Sequence, residues 1–163
     1  MDRLPENIKN NSRFHFIGHL QSNKARLATG RFYLIHSVDS LKLAEVISDE
    51  AQKKGTVQNI LIQINNAGEE QKSGFSPEAV FREIPQLIKL KGINIQGIMN
   101  MAPLNCSDEK LHQLFGNIKQ IYDTLKSEYK VELSQISMGM SNDYLIALEE
   151  GATIIRLGRI LFK

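Results

Sequence analysis

The stretch SQISMGMSNDYLIALEEGATIIRLGR, residues 134–159, decides how the chain is read. LSQISMG (133–139) and ATIIRLG (152–158) are short apolar runs bounded by Gly and Ser, the pattern of buried strands. Between them YLIALEEG reads as a short helix, with Ser141 as its expected N-cap and Gly151 as its C-terminal stop. A strand, a helix and a second strand in such close succession imply parallel strands.

The same alternation runs through the rest of the chain. FHFIG (14–18), FYLIHSV (32–38), NILIQIN (59–65) and INIQGIMNM (93–101) are the other strand candidates. SLKLAEVISDEAQKKG opens on Ser40 as N-cap, buries Leu43, Ala44, Ile47 and Ala51, and stops at Gly55. Its Glu50 and Lys54 have the i,i+4 spacing of an ion pair. SPEAVFREIPQLIKLKG has Ser76 at the cap and Pro77 at the first helical position. Pro85 is expected to kink or split that helix, since an interior proline costs about 3 kcal/mol. SDEKLHQLFGNIKQIYDTLKSEY is capped by Ser107, and Asp108 and Glu109 suit its N-terminal dipole. Leu111, Leu114, Phe115, Ile118, Ile121, Tyr122 and Leu125 make one stripe, which reads as core.

Six strands with helices between them fit either an open doubly wound sheet or part of a (β/α)8 barrel. No internal repeat, low-complexity segment or linker divides the 163 residues, so one domain over 1–163 is expected. Twenty basic and 18 acidic side chains give a net charge of +2, which supplies no steering field for nucleic acid or a membrane surface. No apolar run approaches the roughly 20 residues of a membrane span, and the start MDRLPENIKN has no secretory pattern. A single cysteine, Cys106, allows no intrachain disulfide. A soluble cytoplasmic protein is the expectation.

Both candidate folds bind ligands at the C-terminal ends of their strands. The residues there are Gly18-His19, His36-Ser37, Asn65 to Gly68, Asn100 to Pro103, Ser137 to Asn142, and Gly158-Arg159. They are small, polar or flexible, which suits ligand contact better than a core. Around Ser137, Met138, Gly139 and Ser141 a strand gives way to a helix N-terminus, whose free N–H groups attract anions. Gly158 and Arg159 bring a second loop to the same place, and the last two loops of a βα barrel are a common phosphate site. On the alternative reading Ser141 only caps a helix and Gly139 only makes a turn. Arg156 lies in an apolar strand; facing inward it needs an acceptor, facing outward it is solvated, and alternation does not choose. His15, His36 and His112 read as structural residues. C-x-x-C, G-x-G-x-x-G and Walker patterns are absent; His15 and His19 stand in H-x-x-x-H spacing without a further ligand pattern, and no metal site is expected. NAGEEQKSGFS (66–76) resembles a flexible active-site loop in which Glu69 and Glu70 read as solvated, and Lys72 has no visible burial to lower its pKa.

FHFIGHLQSNKAR, IHSVDS, ILIQINNAGEEQKSGF, GIMNMAP and the stretch from Leu133 to Phe162 together resemble the pyridoxal phosphate homeostasis proteins of the YggS/PROSC type. The resemblance runs from Phe14 to near the end of the chain. It implies a barrel like the N-terminal domain of alanine racemase, with pyridoxal 5′-phosphate as cofactor. By resemblance, the phosphate is held around Ser137, Met138, Ser141, Gly158 and Arg159, and Arg156 faces the pyridine nitrogen. An arginine there disfavours protonation of that nitrogen and weakens the electron sink of the cofactor. The family is regarded as a carrier or regulator of the cofactor without an established catalytic activity, so no catalytic residue is assigned.

The departures matter too. Family members exceed 200 residues and begin with two further βα units, the first bearing the Schiff-base lysine; Lys24 matches a different family residue. The expectation is therefore a barrel lacking about two units, truncated at its N-terminus, with no Schiff-base lysine and two open sheet edges prone to pairing. Self-association through those edges is one consequence. The competing readings are a racemase-like enzyme and a non-functional fragment.

Overall fold

The structure, a computed structural model, describes residues 5–68 and 73–162. Glu69, Glu70 and Lys72 lie outside the described residues. The strands are β1 (His15–Phe16), β2 (Leu34–Val38), β3 (Gln58–Ile64), β4 (Ile93–Asn100), β5 (Gln135–Met140) and β6 (Ile154–Arg156). The helices are α1 (Glu6–Asn11), α2 (Ala25–Ala28), α3 (Leu41–Lys53), α4 (Pro77–Leu87), α5 (Asp108–Ser127) and α6 (Tyr144–Glu149). Every strand candidate in the sequence is a strand, and each strand pairs in parallel with the next.

Strand order decides between the two candidate folds. It runs β1-β2-β3-β4-β5-β6 without reversal. A doubly wound sheet reverses its order at a switch point. When every crossover steps the same way, and strand twist accumulates, the sheet curls toward closure. The fold is an open arc of a (β/α)8 barrel.

The two faces of the arc differ. Ile35, Ile60, Ile62 and Ile98 share one core with the buried faces of α3, α4, α5 and α6. All seven stripe residues of α5 are buried, and all but Leu114 belong to this core. On the other face, toward the barrel axis, Leu34, Leu61 and Met99 form a small apolar floor against which Met101 and Ile154 pack. Side chains alternate along a strand, so two residues on from that floor come His36, Gln63 and Arg156. Gly97 lets β4 and β5 approach closely, because a Cβ there would overlap the Gln135 carbonyl oxygen.

Three of the four predicted N-caps form. Ser40, Ser76 and Ser107 accept from the backbone N–H of Leu43, Ala79 and Lys110 at 3.3, 3.1 and 3.3 Å. Two local expectations fail. Helix α4 is not split at Pro85 but runs to Leu87. The proline lies in the last turn, where one missing N–H and one ring clash affect an element that is already ending. Glu50 pairs with Lys53 at 2.7 Å and not with Lys54. Lys54 Nζ instead donates to the carbonyls of Arg26 and Thr29 at 2.7 and 2.6 Å. Those are end-of-helix carbonyls at α2, where a cation is favoured. Among the described residues no helix is long and apolar enough to cross a membrane.

Candidate functional site

Strands β5 and β6 place Ser137 and Arg156 on the inner face, above the apolar floor. Arg156 points inward. Its NH1 donates to Ser137 Oγ at 2.8 Å and its NH2 to the Asn100 carbonyl at 2.8 Å. Its Nε is buried and has no hydrogen-bond partner among the described residues. Burial lowers the Arg156 pKa to about 10, and Asp143 opposes the shift. The guanidinium is therefore still charged at neutral pH: a fixed cation whose buried Nε–H is unused.

The chain of polar contacts continues. Ser137 Oγ lies 2.9 Å from His36 Nδ1, and His36 Nε2 lies 2.9 Å from His15 Nδ1. Ser137 and His36 are wholly buried. Burial first, then His15 and then Arg156, lower the His36 pKa to about 3, so this imidazole is neutral. Burial and then Arg13 lower that of His15. His15 also stacks on Tyr33, with ring centroids 5.6 Å apart. Asn100 Nδ2 donates to the Ile64 carbonyl and to Asn66 Oδ1, which leaves its buried Oδ1 without a partner. No lysine joins this network among the hydrogen bonds of the described residues.

Around this buried layer lies a rim. Met140 N–H donates to Asp143 Oδ1 at 2.5 Å, and Asp143 N–H to the Met140 carbonyl at 3.1 Å. That turn puts Asp143 at the N-cap of α6, which corrects the expectation for Ser141. The chain needs residues 141–143 to turn, so the helix starts later than the sequence suggests. The Asp143 carboxylate faces back to Met140 and makes no side-chain cap. Ser141 Oγ instead lies 3.5 Å from the backbone N of Gly158, joining the two final loops.

The seven sequence-predicted residues divide accordingly. Ser141 and Arg156 are half-buried, and Gly158 and Arg159 exposed, at the C-terminal mouth. Met138 sends its side chain into the helix-side core, so only its backbone faces the site. Gly139 has φ +87°, and a Cβ there would meet the Ala147 Cβ at 2.6 Å. Its glycine serves the seating of α6 as well as the loop. Beside the mouth, a cavity of about 240 Å³ is lined by Pro103, Asn142, Asp143 and Arg159. Another of about 380 Å³ is lined by Ile17, His19, Gln63, Met101 and Met140.

Sequence reasoning placed His36 and Asn100 among the strand-end residues but read His15 and His36 as structural and assigned none of the three to the site. The available signal was an ionisable residue within the apolar run FYLIHSV, two residues on from inward Leu34. His112, the third histidine read as structural, lies on the outer surface with Nδ1 2.8 Å from Glu150 Oε1. No group of three or more His, Cys, Asp or Glu able to hold a metal occurs among the described residues.

Comparison with known proteins identifies the family and the fold. The sequence profile of the family described as alanine racemase, N-terminal domain, matches residues 4–163. The pyridoxal phosphate homeostasis protein of Aquifex aeolicus is 40% identical over 149 residues, covering 91% of this chain and 65% of that protein. That of a Synechocystis species is 41% identical over 149 residues, covering 91% of this chain and 68% of that protein. This chain thus spans about two thirds of the length of the curated relatives it matches. PipY of Synechococcus elongatus, solved without PLP, is 35% identical with a TM-score of 0.90, covering 97% of this chain and 75% of that one. A second PipY structure, with PLP bound, superposes with a TM-score of 0.86 at 35% identity, covering 97% and 74%.

Proposed function

The chain belongs to the family of the alanine racemase N-terminal domain, with the pyridoxal phosphate homeostasis proteins among its relatives, and from that premise we propose that it binds pyridoxal 5′-phosphate and serves in handling that cofactor, not in catalysis. One observation carries the reading: the buried, unpartnered Nε–H of Arg156. A buried donor without an acceptor is unfavourable, and a pyridine nitrogen is an acceptor that fits at the end of a strand. The other two guanidinium nitrogens are already held, which fixes the position of the third.

In this reading Arg156 donates to the ring nitrogen without protonating it, because a guanidinium holds its proton far more tightly than a pyridine does. When bound, the cofactor supplies an electron-withdrawing ring and an aldehyde, and an unprotonated ring is the weaker electron sink. Ser141, the backbone of Met138 and Gly139, and the Gly158-Arg159 loop receive the phosphate. Ser137 holds Arg156 from beneath. The phosphate anchors the ligand without a covalent bond to this chain. The proposal treats residues 1–163 as one partial barrel domain, acting in the cytoplasm and able to self-associate through the β1 and β6 edges.

The test is a titration of the purified chain with pyridoxal 5′-phosphate, followed by absorbance and melting temperature. Saturable binding that raises Tm is expected, and pyridoxal lacking the phosphate should bind far more weakly. Equal affinity for the two ligands, or no change in Tm at saturating cofactor, would refute the reading. A racemase rate above background would refute the non-catalytic part of it.

A further inference from the structure

We infer that His36 is the positioning residue for Arg156, acting through Ser137, and that its contact with His15 fixes the tautomer in which it does so. The inference deepens the reading of Arg156 as the ring-binding group and rests on it.

The argument is a count of hydrogens. Arg156 can only donate, so Ser137 Oγ accepts from NH1 at 2.8 Å. Ser137 has one hydrogen of its own, and its other partner is His36 Nδ1 at 2.9 Å. If Ser137 donates to His36, the neutral imidazole carries its hydrogen on Nε2. It then donates to His15 Nδ1 at 2.9 Å, and His15 carries its hydrogen on Nε2. Every hydrogen between the four residues has an acceptor. In the opposite order Ser137 Oγ faces two donors, and its own hydrogen has none of these acceptors left. Ser137 and His36 are wholly buried, so no water relieves that defect. The donors therefore run in one direction, from Arg156 through Ser137 and His36 to His15.

This order requires His36 to stay neutral. Burial acts in that sense first, and the groups around it add to it: His15, with Arg13 beyond it, on one side and Arg156 on the other. A purely structural residue at position 36 would need only the right volume. A positioning residue needs an acceptor where Nδ1 stands, which the amide oxygen of an asparagine supplies and leucine does not.

The experiment uses the full chain with ¹⁵N-labelled histidine. Long-range ¹H–¹⁵N spectra at neutral pH should show the Nε2–H tautomer at both His36 and His15; the Nδ1–H tautomer at His36 overturns the inference. In parallel, His36→Leu and His36→Asn are titrated with pyridoxal 5′-phosphate and with inorganic phosphate. Loss of one organising hydrogen bond predicts a roughly five- to tenfold weaker cofactor affinity for His36→Leu, with inorganic phosphate affinity and circular dichroism retained. His36→Asn should recover most of the loss. Unchanged cofactor affinity in a folded His36→Leu, or no recovery by His36→Asn, overturns the inference. If the wild-type chain binds no cofactor, the cofactor reading fails, and the tautomer spectrum alone decides the positioning role. The same spectrum decides it if the variants do not fold.

Discussion

Replacing Arg156 by methionine separates a binding role from a structural one. Burial holds the guanidinium at about 10 against an ordinary 12.5. At about 1.4 kcal/mol for each pH unit, the charged form is disfavoured by about 3 kcal/mol. Against this stand two charge-assisted hydrogen bonds, to Ser137 Oγ and the Asn100 carbonyl, each worth about 1.5–3 kcal/mol. Methionine loses both bonds but removes the desolvation and buries an apolar side chain, worth about 1.5–3 kcal/mol. These effects nearly cancel, so stability should change by less than about 2 kcal/mol, which moves Tm by less than about 8 °C in either direction. Cofactor affinity should behave differently. Losing a charge-assisted hydrogen bond from Nε to the ring costs about 1.5–3 kcal/mol, a roughly ten- to 150-fold weaker Kd. Isothermal titration with pyridoxal 5′-phosphate reads the second effect and a thermal melt the first. A folded Arg156→Met variant that binds within about twofold of wild type would refute the reasoning, because the unpartnered donor would then have no ligand.

Acid should weaken the fold through His36. Its folded pKa of about 3 lies below the ordinary 6.5, so the unfolded chain binds the extra proton between those values. Stability is then lost as pH falls from about 6.5 toward 3, by an upper bound of about 5 kcal/mol. His15 acts in the same direction, whereas His112, raised by Glu150, acts in the opposite one. Denaturant melts across this range should give a shallower slope for His36→Leu than for wild type; equal slopes remove His36 as the cause. Gly97→Ala should cost at least about 1–3 kcal/mol, since its Cβ overlaps the Gln135 carbonyl where β4 and β5 pair. A melt within a degree of wild type would show that the strands separate freely. Borohydride treatment of the cofactor-saturated chain should leave its intact mass unchanged, and a reduced adduct on any lysine would redraw the site.

What was legible in the sequence was local. Six apolar runs became six strands, and Ser40, Ser76 and Ser107 became caps, because both signals lie within a few residues. The stripe of α5 was legible for the same reason. Strand order was not, because alternation of strands and helices is common to doubly wound sheets and barrels; only the pairing of each strand with its successor distinguishes them. The site was half legible. Glycine and serine after the last two strands marked the mouth, and a family resemblance supplied the ligand. His36 escaped because its partner Ser137 is 101 residues away, and no period in the sequence links β2 to β5. The direction of Arg156 escaped likewise, since three strand residues give too short a pattern to set a face. Lys54 and Pro85 show the converse: local rules gave way where α2 offered carbonyls to the lysine and α4 was already ending.

The inner face of the arc carries the functional argument further than any single residue. Its lower layer, Leu34, Leu61 and Met99, is what a protein interior prefers. Two residues on, the chain places His36, Gln63 and Arg156, and closes the layer with Ser137. For stability alone, well-packed apolar residues of similar volume at these positions would serve as well or better. The polar layer is not balanced internally either, since Arg156 Nε and Asn100 Oδ1 remain without partners among the described residues. A layer that satisfies most of its own hydrogen bonds, and leaves one buried donor and one buried acceptor over, is what the proposed ligand site requires. The strand ends place it at the mouth of the barrel, where that fold takes its ligands. The unmatched donor is cationic, fixed on two sides, and joined by hydrogen bonds to two neutral imidazoles that add no positive charge. Such a layer discriminates by geometry and hydrogen-bond polarity, which suits a flat heteroaromatic ring with a single acceptor nitrogen.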